Sequence, residues 1–361
     1  MKKAAVIWMW FAAAALAAAL CNGNPCAAQA ADGQQQFAGL GTCRLVSGQE
    51  IRNCRLGYRT WGRLNAQRSN AVLFPTWFSG RSADLAASVG AQGLVDPAKY
   101  FVIAVDALGD GVSSSPSNSV AQHGPDFPAF TIEDMVNAEY RLATETLHLK
   151  HLHAVMGISM GGIQTFEWMV DYPDFMDVAI PIVGSPRPDS RDLLLYDTDM
   201  NAVTSDPSWQ HGRYAQSPPM AEAELIWQLN LSTPAEFART HPLAKFPADY
   251  AKWLAQGILP FDANDWVAQL KAIVLHDVAH GGTMEAAARR VKARVLVVNS
   301  AQDHMVNPQP ALAFARRIGA RTIVLQGDCG HIATGCEATT LDPQVRAFLD
   351  AGEPATRSQS H

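Results

Sequence analysis

Short, nearly continuous apolar runs recur along this chain, each bounded by turn residues. They are Ala71-Val-Leu-Phe-Pro75, Tyr100-Phe-Val-Ile-Ala-Val105, His153-Ala-Val-Met156, Val178-Ala-Ile-Pro-Ile-Val183, Arg294-Val-Leu-Val-Val-Asn299 and Arg321-Thr-Ile-Val-Leu325. A strand with one face in water alternates apolar and polar residues; these do not, so both of their faces must be covered. Helical segments fall between them. Thr131-Ile-Glu-Asp134 is a capping-box pattern, followed by apolar positions at Met135, Val136, Ala138, Leu142 and Leu147. Ile163–Tyr172 reads as a helix stopped by Pro173, and further helices are expected near Pro310–Ile318 and Asp342–Leu349. The alternation predicts the α/β class, a mostly parallel central sheet with helices on both faces. A polar lead-in, Asp32–Gln36, precedes a strand hairpin over 43–62.

Residues 186–282 break this rhythm. They hold four of the nine tryptophans (Trp209, Trp227, Trp253, Trp266), several prolines and no clear strand. The expectation is a helical cap inserted over the carboxyl edge of the sheet. The chain then divides into a leader at 1–30, core at 31–185 and 283–352, the cap, and a flexible tail at 353–361.

The leader carries Lys2 and Lys3, an apolar run from Ala4 to Leu20, and Ala28-Gln-Ala30, the three regions of a secretory signal peptide. Cleavage is expected after Ala30, placing the protein in the periplasm or outside the cell. The 17-residue run is at the lower limit for a membrane span, so cleavage is preferred to anchoring. Leu20 before Cys21 argues against a lipoprotein. Without the leader, 26 basic residues face 34 acidic ones, which excludes an electrostatic grip on nucleic acid or on an anionic membrane. Four cysteines remain in an oxidising compartment. Local geometry pairs Cys43 with Cys54 across a Ser47-Gly48 turn and Cys329 with Cys336 across a short loop. A tetrathiolate zinc site has the wrong spacing.

The chemistry concentrates at Gly157-Ile-Ser-Met-Gly161, directly between a predicted strand and a predicted helix. That is the context the nucleophile elbow requires: a strained tight turn whose flanking glycines let two backbones approach while the serine hydroxyl projects. Serine needs a base, and the base needs an orienting acid, in the chain order Ser, Asp, His. Asp303 and His331 each follow a later predicted strand; His304 and Asp328 are rivals placed less well in sequence. For the oxyanion, the expected donors are the N–H groups of Met160 and Phe78, with Trp77 as the alternative to Phe78. His276-Asp-Val-Ala-His280 has the i,i+4 spacing of a zinc-protease helix, but Gly281-Gly282 end that helix and no third ligand is evident. Neither metal nor cofactor is expected.

The chain resembles the homoserine O-acetyltransferase group of the α/β-hydrolase superfamily over about residues 40–350. The resemblance runs through Leu56-Gly-Tyr-Arg-Thr-Trp-Gly-Arg-Leu-Asn65, Phe130-Thr-Ile-Glu-Asp-Met-Val136 and Met156-Gly-Ile-Ser-Met-Gly-Gly-Ile-Gln-Thr-Phe-Glu-Trp168. It continues through Asp206-Pro-Ser-Trp-Gln-His-Gly212 and Phe261-Asp-Ala-Asn-Asp265. It implies an α/β-hydrolase fold, the triad Ser159, Asp303 and His331, and an acyl-serine intermediate. Two departures bear on function. Where such acetyltransferases carry an arginine for the amino-acid carboxylate, this chain has Met200, and the loop Gly109–Pro116 differs from the usual pattern. Together with export, these favour an exported serine hydrolase cleaving a carboxylic ester. The alternatives are an O-acyltransferase and a non-catalytic binding protein on a hydrolase scaffold. The expected partner is a small-molecule ester, with no nucleic acid and no membrane after cleavage; a homodimer through the cap is the one protein association to test.

Overall fold

The computed structural model describes residues 32–256 and 261–351; the expected leader (1–30) and tail (353–361) lie outside them. Eight strands form one sheet: β1 (Gln36–Arg44), β2 (Glu50–Trp61), β3 (Ala71–Pro75), β4 (Phe101–Val105), β5 (Leu152–Ile158), β6 (Met176–Ile182), β7 (Arg294–Ser300) and β8 (Arg321–Leu325). Their order is β1-β2-β4-β3-β5-β6-β7-β8. The pairings β1–β2 and β2–β4 are antiparallel and the rest are parallel.

The unbroken apolar runs are explained by what they face. Leu73, Ile103, Ala179 and Val297 point into one core, shared with α1 (Ile132–Arg141), α2 (Met160–Asp171) and α9 (Pro308–Ile318). Their neighbours Val72, Val102, Ile180 and Val298 point into a second core against α10 (Ala333–Cys336), α11 (Ala338–Asp350), Leu85 and Leu94. A strand covered on both sides has little room for a polar side chain.

Boundaries differ from expectation at both ends. β1 starts at Gln36, well before the expected 43: Ala38 and Leu40 are buried while Phe37 and Gly39 are not, a two-residue alternation that Gly39 and Gly41 disguise. α11 starts at Ala338, so Pro343 falls inside the helix and does not open it. The cap box at Thr131 forms as read, with the Asp134 N–H donating to the Thr131 hydroxyl at 3.2 Å and the Thr131 N–H donating back to Asp134 at 2.9 Å.

Between β6 and β7 run α3 (Ser190–Thr204), α4 (Ala221–Leu231), α5 (Pro234–Thr240), α6 (Phe246–Gln256), α7 (Ala263–Val274) and α8 (Met284–Arg290), with no strand among the described residues. Trp266 of α7 is fully buried.

One buried acid makes stability depend on pH. Glu139 of α1 is enclosed and accepts a 2.6 Å hydrogen bond from the Trp168 indole, and burial pushes its carboxyl from 4.5 up to about 8. Folded chains therefore keep a proton that unfolded chains release above about pH 4.5, so this residue's contribution to stability declines as pH rises from there to about 8. Glu139→Gln, which carries no ionisable proton, should flatten that decline by up to a few kcal/mol. Chemical denaturation at pH 5 and pH 8 measures it; an unchanged decline would mean that Glu139 is ionised in the fold.

Candidate active site

Strand β5 ends at Ile158 and α2 begins at Met160, leaving Ser159 alone in the turn with φ 58° and ψ −120°. A non-glycine residue at positive φ is strained, and here the strain aims the side chain out of the turn. The glycines are required by contact. A Cβ on Gly157 would collide with the Gly161 carbonyl, and one on Gly161 with the Pro75 carbonyl at the end of β3.

Two later strand ends converge on the serine. His331 sits in a one-turn helix, Gly330–Ile332, beyond β8, and its Nε2 lies 2.8 Å from Ser159 Oγ. Its Nδ1 lies 2.7 Å from Asp303 Oδ2, in the loop beyond β7. The other carboxylate oxygen of Asp303 accepts the Met305 N–H at 2.8 Å and the Val306 N–H at 2.9 Å, so the acid cannot swing away. Both residues are 8 % exposed, which makes each charge-assisted contact stronger than in water. The rivals are elsewhere: exposed Asp328 accepts from Gln302 at 3.1 Å, and the His304 carbonyl accepts from Arg191.

Ser159 and His331 open into a cavity of about 470 Å³ walled by Trp77, Phe78, Trp227 and Leu231. Larger grooves of about 950 and 1220 Å³ touch neither residue. Met160 is the first residue of α2, so its N–H has no carbonyl one turn back to bond. The Phe78 ring is clamped, stacked on Trp227 at 4.8 Å and edge-on to Trp266 at 4.3 Å. Neither the Phe78 nor the Trp77 N–H finds a hydrogen-bond acceptor among the described residues.

Asp199, which holds Trp227 of this wall, was not visible in the sequence. Its Oδ2 accepts from both the Trp227 and Trp266 indoles at 2.9 Å, and burial raises its carboxyl to about 7. Its partners lie 28 and 67 positions away, which no local pattern reveals. Met200 beside it packs against the apolar core.

The paired histidines need a correction. Helix α7 ends at Val274, so His276–His280 is a turn, with Asp277 capping the Ala279 N–H at 2.9 Å and the Val278 N–H held by the Pro186 carbonyl at 3.1 Å. His280 meets acids remote in sequence: Glu167 at 2.9 Å, Glu133 at 3.2 Å and Asp171 at 3.2 Å, with Arg290 also on Asp171. Glu167 holds the His280 imidazole up at about 9, so the imidazolium is itself a cation of this cluster. The sulfurs of Cys43 and Cys54 lie at disulfide distance, as do those of Cys329 and Cys336.

The alpha/beta hydrolase fold family model matches residues 72–334. The chain belongs to the α/β-hydrolase family. This α/β-hydrolase is an enzyme. It is 32 % identical to the ethyl acetate hydrolase of Pseudomonas veronii, covering 88 % of this chain and 95 % of that one. It is 30 % identical to the homoserine O-acetyltransferase of Pelobacter propionicus, covering 85 % and 94 %. The crystal structure of an acetylester hydrolase from Corynebacterium glutamicum superposes with a TM-score of 0.82 at 28 % identity, covering 88 % of this chain and 96 % of that chain. No helix among the described residues of this α/β-hydrolase is long and apolar enough to cross a membrane.

Proposed function

We propose that this protein is an exported serine hydrolase that cleaves carboxylic esters with a small or medium acyl group. At the coarser level it is an ester hydrolase or acyltransferase of the α/β-hydrolase family. The observation that carries the finer reading is the single imidazole of His331 held between Ser159 at 2.8 Å and Asp303 at 2.7 Å.

Ser159 Oγ attacks the ester carbonyl as its proton passes to His331 Nε2, while Asp303 holds the imidazole and balances the imidazolium. The Met160 and Phe78 amides take the negative oxygen of the tetrahedral intermediate. That intermediate collapses by expelling the alcohol, which receives the proton from His331. The acyl group is then on Ser159. A water molecule, deprotonated by His331, attacks the acyl-serine; the second tetrahedral intermediate expels Ser159 Oγ, which takes the proton back from His331, and the acid is released. The insertion 186–282 serves as the cap, since Trp227 and Leu231 of α4 wall the cavity. The leader 1–30, cleaved after Ala30, supplies export, and two sulfur pairs at disulfide distance suit an oxidising compartment.

Transfer to homoserine is the second reading, favoured by the acetyltransferase relatives. Met200 weighs against it, because a thioether offers no bidentate grip on a carboxylate. Incubating the mature enzyme with p-nitrophenyl esters of increasing acyl length, with and without acetyl-CoA and homoserine, decides between them. Hydrolysis of the shorter esters is expected, with homoserine failing to divert the acyl group even at millimolar concentration. If O-acetylhomoserine accumulates as fast as the acid is released, the enzyme is a transferase.

A further inference from the structure

The cavity at Ser159 contains two carboxylates that ester cleavage does not use. Asp84 opens the one-turn helix Asp84–Ser88, and Asp342 lies on α11; both line the same cavity as Ser159 and His331. Asp84 is held in place by the Arg81 N–H, which donates to its Oδ2 at 2.8 Å. Asp342 is half-buried, and burial raises its carboxyl above the ordinary value, with Arg346 as a partial counterweight; the Arg346 guanidinium donates to the Gly93 carbonyl and does not line the cavity. No lysine or arginine stands among the described residues of the cavity wall, and apart from His331 the remaining side chains are apolar or carry no ionisable group.

An apolar cavity lined by charges of one sign focuses their field on whatever occupies it. Resting on the reading that Ser159 cleaves esters, we infer that Asp84 and Asp342 set a charge filter: the cavity takes neutral and cationic esters and refuses anionic ones, including phosphate-bearing acyl thioesters. The filter would also separate hydrolysis from transfer, because an acyl donor of the coenzyme A type must bring several negative charges to the same opening.

The test compares substrates matched in size. p-Nitrophenyl hemisuccinate is set against p-nitrophenyl pentanoate, and acetylthiocholine against its uncharged 3,3-dimethylbutyl analogue. For the native enzyme the anionic ester should have a kcat/KM about tenfold below its neutral match, mostly through KM, and the cationic ester should exceed its own match. Raising salt from about 20 mM to about 0.5 M should narrow both gaps. The double variant Asp84→Asn/Asp342→Asn should narrow the anionic gap at least about threefold. Each ratio is taken within one enzyme, so a general loss of activity cancels. Equal turnover of the anionic and neutral esters by the native enzyme overturns the filter, as does a gap that the double variant leaves intact. If no ester is cleaved, the esterase reading falls, and the filter is judged separately by protection of Ser159 from a fluorophosphonate. Phenylboronic acid should protect better than its 4-carboxy derivative; equal protection refutes the filter.

Discussion

Replacing Ser159 by alanine should abolish ester hydrolysis, by a factor on the order of a millionfold in kcat, while the melting temperature barely moves. The magnitude follows from mechanism. On the proposed mechanism there is no acyl-enzyme without the hydroxyl, and His331 has nothing to deprotonate except water held in a cavity shaped for something else. The small stability effect follows from the contacts. Among the described residues Ser159 Oγ bonds only to His331, and alanine accepts the turn's φ of 58° about as poorly as serine does. A fluorophosphonate should label Ser159 in the native enzyme and no other residue. Undiminished turnover in the variant, or labelling at a different serine, would remove Ser159 from the mechanism.

Breaking the Cys329–Cys336 link should slow catalysis more than it destabilises the fold. The two cysteines are seven positions apart and enclose His331. A link across so short a loop adds about 2–3 kcal/mol by chain entropy, worth only a few degrees in a chain of this size. The catalytic demand is tighter. On the proposed mechanism His331 must meet Ser159 and Asp303 together, and a displacement of about 1 Å can cost on the order of a hundredfold in rate. The loop is also held from the segment after α4. The Thr233 hydroxyl donates to the Asp328 carbonyl at 2.5 Å, and Gly330 packs so close to Ser232 that a Cβ there would meet its Cα at 3.0 Å. Cys329→Ser/Cys336→Ser should therefore lower kcat by about tenfold or more, measured well below the melting point. Cys43→Ser/Cys54→Ser is the control. That pair ties β1 to β2, where Cys43 and Cys54 are buried in the core, and its loss should lower stability with kcat unchanged. Mass spectrometry of non-reduced peptides establishes the bonds themselves. Full activity in the first double variant, with the bond present in the parent, would mean that the contacts with Thr233 and Ser232 position the histidine alone.

Much of the scaffold was legible because its cause is local. A strand buried on both faces must be largely apolar, so β3, β4, β6 and β7 announce themselves without any knowledge of their neighbours. The elbow is legible for a similar reason. Only glycine fits at 157 and 161, where carbonyl oxygens of the same turn and of β3 occupy the space of a Cβ. Asp303 and His331 were candidates by position, since each follows the carboxyl end of a parallel strand and those ends lie side by side.

Local order failed where the partner was distant or the signal mixed. The glycines of β1 mask its alternation, and the turn at His276–His280 has helical spacing without a helix. By itself the sequence determined the layering of the sheet, the strained serine turn and the order of its candidate partners, because steric exclusion and burial act on neighbouring residues. Tertiary structure alone decided that Asp199 lies beneath two indoles, that His280 gathers three acids, and that Asp84 and Asp342 share a cavity with Ser159. Electrostatic environment depends on what the folded chain brings within a few ångströms, and most of these partners are dozens of residues apart or more.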